Sequence, residues 1–242
     1  ARAEIGIRRI LQQEGAQAYT NTFEDLYGMT QLPGLASQHL MSQGYGYGGE
    51  GDWKVAALTR IVKAMTEGLP GGSGFMEDYT YDLEPGNELT LGAHMLEVCP
   101  SLAGNRPRIE VHPLGIGGKS DPARLVFDGA AGPALLISLI DMGGRFRLVL
   151  HEVDAVQPIY TMPNLPVARV MWKSQPDLLT GAHAWILAGG AHHSVMSFAA
   201  TPEMLKDWHE IMDIEVVHIN HETTIDGLKK DLFLADLAWK LR

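Results

Sequence analysis

Short segments in which apolar and polar residues alternate recur from residue 72 onward, and glycine, proline or asparagine separates one segment from the next. Examples are FMEDYTYDL, ELTLGAHMLEV, RIEVHPLGI and RLVFDG. A period of two sends successive side chains to opposite faces of a strand. Many such strands joined by short connections predict a sandwich or a small antiparallel barrel.

The clearest turn in this region is MGGR at 142–145, where two glycines separate two alternating segments. We predict further strands in VARVMWKS and in AWILAGGAHHSVMSF. The tail predicts a helix that begins at Thr201 and Pro202, the short strand EVVHIN, and a final helix near 224–242. The strand-rich region is therefore expected to be followed by helices at its C-terminal end.

Helices and short extended pieces alternate before residue 71. Pro33 and Gly44 bracket one predicted helix, and a second, over 51–67, has Asp52 near its start. The first helix has no capping residue before it, so we expect residue 1 to lie within a longer chain. We predict an α+β fold in which 1–71 form the end of an α/β domain and 72–242 form a second domain, either a sandwich or a small antiparallel β-barrel.

The charge balance argues against nucleic acid as a partner. The chain has 19 Lys and Arg against 29 Asp and Glu, a formal charge of -10, and this balance repels polyanions. The single cysteine, Cys99, fits a reducing compartment, and no apolar run approaches the roughly 20 residues that cross a bilayer. We therefore expect a cytoplasmic protein with no membrane partner.

Common nucleophile and phosphate motifs are missing from the sequence. No G-x-S-x-G is present, and GYGYGG lacks the lysine of a phosphate-binding loop. The glycines of that segment, and those of LGIGGKSDPAR, are better interpreted as tight turns. A covalent nucleophile or a nucleotide site is not expected.

Two acidic and two histidine residues lie in glycine-flanked or weakly charged segments and form a candidate metal site. They are Glu50, Glu77, His94 and His193. Two carboxylates and two imidazoles suit Mn²⁺, Zn²⁺ or Fe²⁺ and leave room for substrate oxygens. The pattern leaves a second interpretation open, in which the acids are helix-dipole partners or surface groups and the histidines are hydrogen-bonded core residues.

Local context favours the metal interpretation. Glu50 lies at the entry to a helix, where the dipole favours an ionised carboxylate. Glu77 shares a predicted strand face with Phe75, Tyr79 and Tyr81, and a carboxylate among aromatic rings needs a partner. In GGAHH, at 189–193, strand alternation would send the two histidines to opposite faces, so only one should bind the ion unless the strand bulges.

Several of these stretches together resemble the L-arabinose isomerase family, in the same order and over essentially the whole chain. They are GEGDWKVAALTRIVKAM, GFMEDYTYDLEPGNELTLGAHMLEVCPS, HPLGIGGKSDPARLVF, LPVARVMWKSQPDL and AWILAGGAHHSVMSF. The resemblance implies an intramolecular oxidoreductase of arabinose catabolism that interconverts L-arabinose and L-ribulose, and also D-galactose and D-tagatose, through a cis-enediol. It further implies that 72–242 form an antiparallel β-barrel domain. Family members are expected to be about twice this length and to assemble as homo-oligomers, namely hexamers.

The resemblance also assigns roles to individual residues. It implies one Mn²⁺, with Co²⁺ or Mg²⁺ as possible substitutes, on Glu50, Glu77, His94 and His193. It places His192, Phe23 and Ile116 at the sugar, and Glu50 and Glu77 are our candidates for the acid–base pair. A non-catalytic metal- or sugar-binding or assembly fragment stays open as an alternative, and a metal-dependent hydrolase is a weaker one.

Overall fold

The alternating segments form a closed barrel in the computed structural model, which describes residues 1–159 and 161–241. Six strands, β3, β4 and β7–β10, close the barrel in the order β8-β7-β10-β3-β4-β9 and back to β8. Every neighbouring pair in this ring is antiparallel. The barrel strands are β3 (Ser73–Asp82), β4 (Leu89–Ala93), β7 (Gly132–Asp141), β8 (Phe146–Val156), β9 (Arg169–Ser174) and β10 (His193–Ser197). The predicted α+β fold with a barrel-like C-terminal part is confirmed.

The other elements lie outside this ring. Strand β11 adds to β8 in parallel, and β1–β2 and β5–β6 form separate two-stranded sheets. The strands are β1 (Ala18–Asn21), β2 (Gly46–Gly49), β5 (Arg108–Val111), β6 (Ala123–Val126) and β11 (Glu215–Ile219). The helices are α1 (Arg2–Gln13), α2 (Gly34–Ser42), α3 (Trp53–Met65), α4 (Leu178–Ala188), α5 (Pro202–Met212) and α6 (Ile225–Lys240), with a 3₁₀ turn at Pro100–Leu102.

Most predicted helix starts and turns are confirmed. Pro33 precedes α2, and the Asp52 side chain accepts the Val55 N–H at the start of α3. Thr201 caps α5 in the same way. Residues 142–145 connect β7 to β8, with Gly143 at φ 87°. The division of the chain at residue 71 stays a prediction.

One strand prediction is wrong. The segment AWILA, at 184–188, belongs to helix α4 rather than to the strand that carries GGAHH. Asp177 caps this helix by accepting the Thr180 N–H, and Gly189 ends it in the left-handed conformation. The apolar run is continuous, so it has no periodicity that separates a buried helix from a buried strand.

Strand alternation divides the apolar residues between the two sides of the barrel wall. On β3, Phe75 packs outward against α3, whereas Met76 packs inward with Trp172. Val195 and Met196 of β10 divide in the same way. The outer core attaches the N-terminal segment to the barrel, and this attachment brings the turn after β2 to the ends of β3 and β10. No helix among the described residues is long and apolar enough to span a membrane.

Candidate functional site

The candidate site lies on the outer side of the barrel, where three strands and the turn after β2 meet. Glu77 of β3 is paired with His193 of β10 on one side and with Ala93 of β4 on the other. His94 follows Ala93 directly, and Glu50 follows the last residue of β2. The structure therefore brings all four predicted metal ligands into one region.

Glu77 and His94 form one half of this site. His94 Nε2 lies 3.9 Å from Glu77 Oε2, and its Nδ1 donates to Glu97 Oε2 at 2.5 Å. Glu97 also accepts the backbone N–H of Leu96 at 3.0 Å, which fixes the carboxylate. A proton on Nδ1 leaves the lone pair of Nε2 free for a cation.

The electrostatics of His94 follow from the same contacts. Burial by itself lowers the pKa of His94, but the negative charge of Glu97 and its hydrogen bond outweigh burial, and the net pKa is raised. The Glu97 carboxylate therefore increases the basicity of the ring that a metal would use.

His193 and Glu50 form the other half. His193 Nε2 lies 3.9 Å from Glu50 Oε2, and His193 Nδ1 lies 3.6 Å from Asp52 Oδ2. His193 is buried, and its Nε2 has no hydrogen-bond partner within residues 1–159 and 161–241. Burial raises the pKa of Asp52, but His193 and the Val55 N–H outweigh it, so the net pKa is below its usual value.

The two halves face each other across the ring of Phe75. The His94 and His193 rings make edge contacts with Phe75 at centroid distances of 4.9 and 5.0 Å, and they lie 5.8 Å from each other. Gly49 allows this approach, since a Cβ there would lie 3.2 Å from His94 Nε2. Glu50 has a φ of 57°, a conformation that L residues rarely adopt and that often marks functional positions.

These side chains fit a divalent cation by their chemistry. Each histidine has a carboxylate near its Nδ1 and directs its Nε2 toward a glutamate. In each half of the site, an imidazole lone pair and a carboxylate are therefore available to the same cation. A buried imidazole nitrogen without a partner costs free energy, and a metal ion would remove that cost. Nitrogen and oxygen donors suit Mn²⁺ or a similar ion.

His192 lies closer to this site than strand alternation suggests. Strand β10 begins at His193, so His192 belongs to the preceding turn and the alternation argument does not apply to it. Its ring stacks on that of His193 at 4.3 Å, and its Nδ1 lies 3.4 Å from Glu77 Oε1. Glu50, His192 and His193 have potential ligand atoms within 4.8 Å of one another.

A cavity of about 190 Å³ opens beside the predicted ligands. Glu50, Glu77 and His94 line it, and so do both predicted apolar sugar contacts, Phe23 and Ile116. His192 is not among its lining residues. The cavity thus combines carboxylates with an apolar wall, as expected for a small polar ligand.

Sequence reasoning missed the roles of Glu97 and Asp52 beside the two histidines. Glu97 follows His94 by three residues, a spacing that lets the two side chains meet in a turn. Asp52 was expected only near the start of a helix, and its second oxygen lies near His193. A search for carboxylates close in sequence to each candidate ligand would have found Glu97, but not the long-range contact of Asp52.

Comparison with known proteins gives the family. A family model described as the L-arabinose isomerase C-terminal domain matches residues 72–215, and one described as the L-arabinose isomerase central domain matches residues 1–68. The chain belongs to the L-arabinose isomerase family. The matched stretches include all four predicted ligands, and also His192, Phe23 and Ile116.

Individual L-arabinose isomerases agree with this assignment. The chain is 61% identical over 242 residues to L-arabinose isomerase 1 of Bacillus licheniformis, covering 100% of this chain and 49% of that protein. It is 60% identical to the L-arabinose isomerase of Geobacillus stearothermophilus, covering 100% and 48%, and 57% identical to that of Thermotoga sp., covering 100% and 49%. The chain spans about half the length of these curated relatives.

Proposed function

We propose that this chain carries the metal- and sugar-binding part of an aldose–ketose isomerase that interconverts L-arabinose and L-ribulose, and also D-galactose and D-tagatose. One observation carries the proposal: in a member of this family, the unpartnered Nε2 of buried His193 lies beside Glu50, with Glu77 and His94 next to it. Glu50, Glu77, His94 and His193 would hold one Mn²⁺. When bound, the cation would act as a Lewis acid toward two sugar oxygens.

In this proposal, the two carboxylates move protons. One carboxylate takes the proton from C2 of the aldose, the electron pair forms the C1–C2 double bond of a cis-enediol, and O1 receives a proton. O2 then gives up its proton, C1 gains one, and the ketose results. Glu50 and Glu77 both line the cavity, so each can reach a sugar that occupies it.

The cavity wall would orient the sugar. Phe23 and Ile116 of the cavity wall offer apolar surface to the C–H groups. His192 lies outside the wall, but it contacts Glu77 and is exposed enough to reach a hydroxyl. A sugar held by both kinds of contact presents C1 and C2 to the carboxylates in a fixed orientation. We further propose a cytoplasmic homo-oligomer that has no nucleic-acid or membrane partner.

The test is ketose formation from L-arabinose by the purified 242-residue chain with Mn²⁺, and again after EDTA. We expect turnover with Mn²⁺ and none after EDTA. Glu50→Gln and Glu77→Gln should each lower turnover by about 100-fold or more, because acid–base catalysis contributes that much. Glu110→Gln, on the separate sheet that contains β5, is the matched control and should retain activity.

Deuterium labelling distinguishes proton transfer through an enediol from the other possible reactions. In D₂O, proton transfer through the enediol should introduce deuterium at C2 of the recovered aldose, whereas a hydride shift or a hydrolase would leave C2 unlabelled. Near-normal turnover of either glutamine variant with metal bound would contradict the acid–base role of that residue.

A second candidate function rests on the length of the chain. Because it spans about half of its relatives, the chain could bind metal and sugar, or mediate assembly, without turnover. Mn²⁺ binding by a folded chain that forms no ketose would favour this function over the first.

A further inference from the structure

A second cavity, of about 230 Å³, lies inside one end of the barrel and is larger than the cavity at the candidate site. Inward-facing residues of the strands form its walls, and helix α4 with the turn after it covers it. Its lining residues include Asp78, Thr90, His151, Trp172, Ser174, Trp185 and Ser194. None of its lining residues lines the first cavity. The barrel wall separates the two, since Glu77 faces one cavity and Asp78 the other.

Asp78 gives the barrel cavity an unused acceptor. The Tyr81 hydroxyl donates to Asp78 Oδ2, whereas Oδ1 is buried and has no hydrogen-bond partner in the part of the chain that the structure describes. Buried carboxylate oxygens are normally paired, because an unpaired one has lost its hydration without a replacement. Asp78 lines the cavity, so a hydroxyl or N–H donor of a ligand there would pair with its carboxylate.

His151 supplies a neutral ring. Its Nε2 donates to the Gln175 carbonyl at 2.9 Å, and burial lowers the pKa of His151 to about 4. The ring is therefore neutral near pH 7, and Nδ1 carries no proton. Ser174, Ser194 and Thr90 add hydroxyl groups, which can donate or accept.

Charge and shape limit the ligand class. No Lys or Arg among the described residues lines the cavity, so no cation from that part of the chain would balance a phosphate or a carboxylate. The half-buried Trp185 and the edge of the buried Trp172 add apolar surface among the polar groups. A polyol has hydroxyl donors for the acceptor groups, apolar C–H faces for the tryptophan rings, and no charge that would need a Lys or Arg. It therefore matches the cavity lining.

We propose that the barrel cavity is a second binding site, for a neutral polyhydroxylated molecule of monosaccharide size. The site needs no metal ion and does not depend on the function proposed above. His192 borders the cavity and contacts Glu77, so it is the point at which the two sites touch.

The experiment titrates the ¹⁵N-labelled chain with the pentitol L-arabitol in EDTA and follows the tryptophan indole N–H signals by NMR. L-Arabitol has no carbonyl to isomerise, and EDTA removes any metal-dependent binding. Signals of Trp172 and Trp185, assigned with Trp→Phe variants, should shift saturably. Those of Trp53, Trp208 and Trp239 lie outside the cavity and should not shift.

Matched variants locate the binding. Ala182→Phe places a large ring at the cavity wall and should weaken binding at least tenfold, whereas His183→Phe, exposed on the same helix and outside the lining, should not. Asp78→Asn removes the acceptor charge with little change of shape and should also weaken binding at least tenfold. It serves as the test if Ala182→Phe fails to fold.

Three results would overturn the proposal. The first is the absence of a saturable shift at Trp172 and Trp185. The second is an equal shift in Ala182→Phe or Asp78→Asn, provided that the variant is folded. The third is a saturable shift with tetramethylammonium or inorganic phosphate but not with the pentitol, since a charged ligand would then occupy the cavity.

Discussion

Two carboxylates that are not predicted ligands determine how the two histidines of the site are presented. Glu97 holds Nδ1 of His94, and Asp52 lies near Nδ1 of His193. The segments GGEGDW, FMEDY, LGAHML and GGAHH were enough to propose the four ligands, and their metal-binding roles stay predictions. The supporting carboxylates could not be predicted, because their roles depend on distances that exist only after the strands pair.

The residues that share a strand face with Glu77 also depend on how the strands pair. Alternation predicted that Phe75, Tyr79 and Tyr81 share its face, but the pairing of β3 with β4 shifts between Asp78 and Thr80. As a result, Tyr79 lines the cavity of Glu77, while Tyr81 lines the barrel cavity with Asp78. The prediction for Tyr81 is wrong because one extra residue reverses the alternation.

At the residue scale, we predict that Glu97→Gln weakens Mn²⁺ binding by about 10- to 100-fold. Glutamine can still accept from His94 Nδ1, but it removes the charge that makes the ring more basic. The measurement is calorimetric titration with Mn²⁺. Glu110→Gln is the matched control, since Glu110 also accepts from a histidine, His112 Nε2, and does not line the cavity of the site. Equal affinity of Glu97→Gln and wild type would show that Glu97 does not support the metal site.

Several residues of the candidate site lie at the ends of helices and strands. Helix α3 begins just after Glu50, and its Asp52 cap also approaches His193 at the start of β10. Helix α4 was missed because its residues are nearly all apolar, although its ends are clear in the sequence as Asp177 and Gly189. Element type was therefore predictable where periodicity or a cap was visible, and ambiguous in a continuous apolar run.

At the element scale, we predict that the two roles of Asp52 can be separated. Asp52→Ala removes the cap of α3 and should lower the free energy of unfolding by about 1 kcal/mol. Asp52→Asn retains a capping oxygen and should be nearly as stable as wild type, but it should bind Mn²⁺ more weakly because the charge near His193 is lost. Urea unfolding and Mn²⁺ titration of both variants provide the measurements. Unchanged Mn²⁺ affinity in Asp52→Asn would limit Asp52 to capping.

Across the whole molecule, the site requires both parts of the chain. Glu50 follows β2, whereas Glu77, His94 and His193 belong to the barrel, and the outer core around Phe75 holds the two parts together. Strand number and turns predicted a sandwich or a small antiparallel barrel, and the family resemblance indicated the barrel. The order of its strands could not be predicted, because alternation does not indicate that β10 inserts between β3 and β7.

The most direct test of the central claim is calorimetric titration of Mn²⁺ into four proteins: wild type, His94→Ala, His192→Ala and His193→Ala. Four ligands at Glu50, Glu77, His94 and His193 predict one ion per chain in wild type and in His192→Ala, and none in the other two. Far-UV circular dichroism confirms that each variant is folded. Loss of binding in His192→Ala together with retention in His94→Ala would contradict the account, because the ion would then be held by Glu50, His192 and His193.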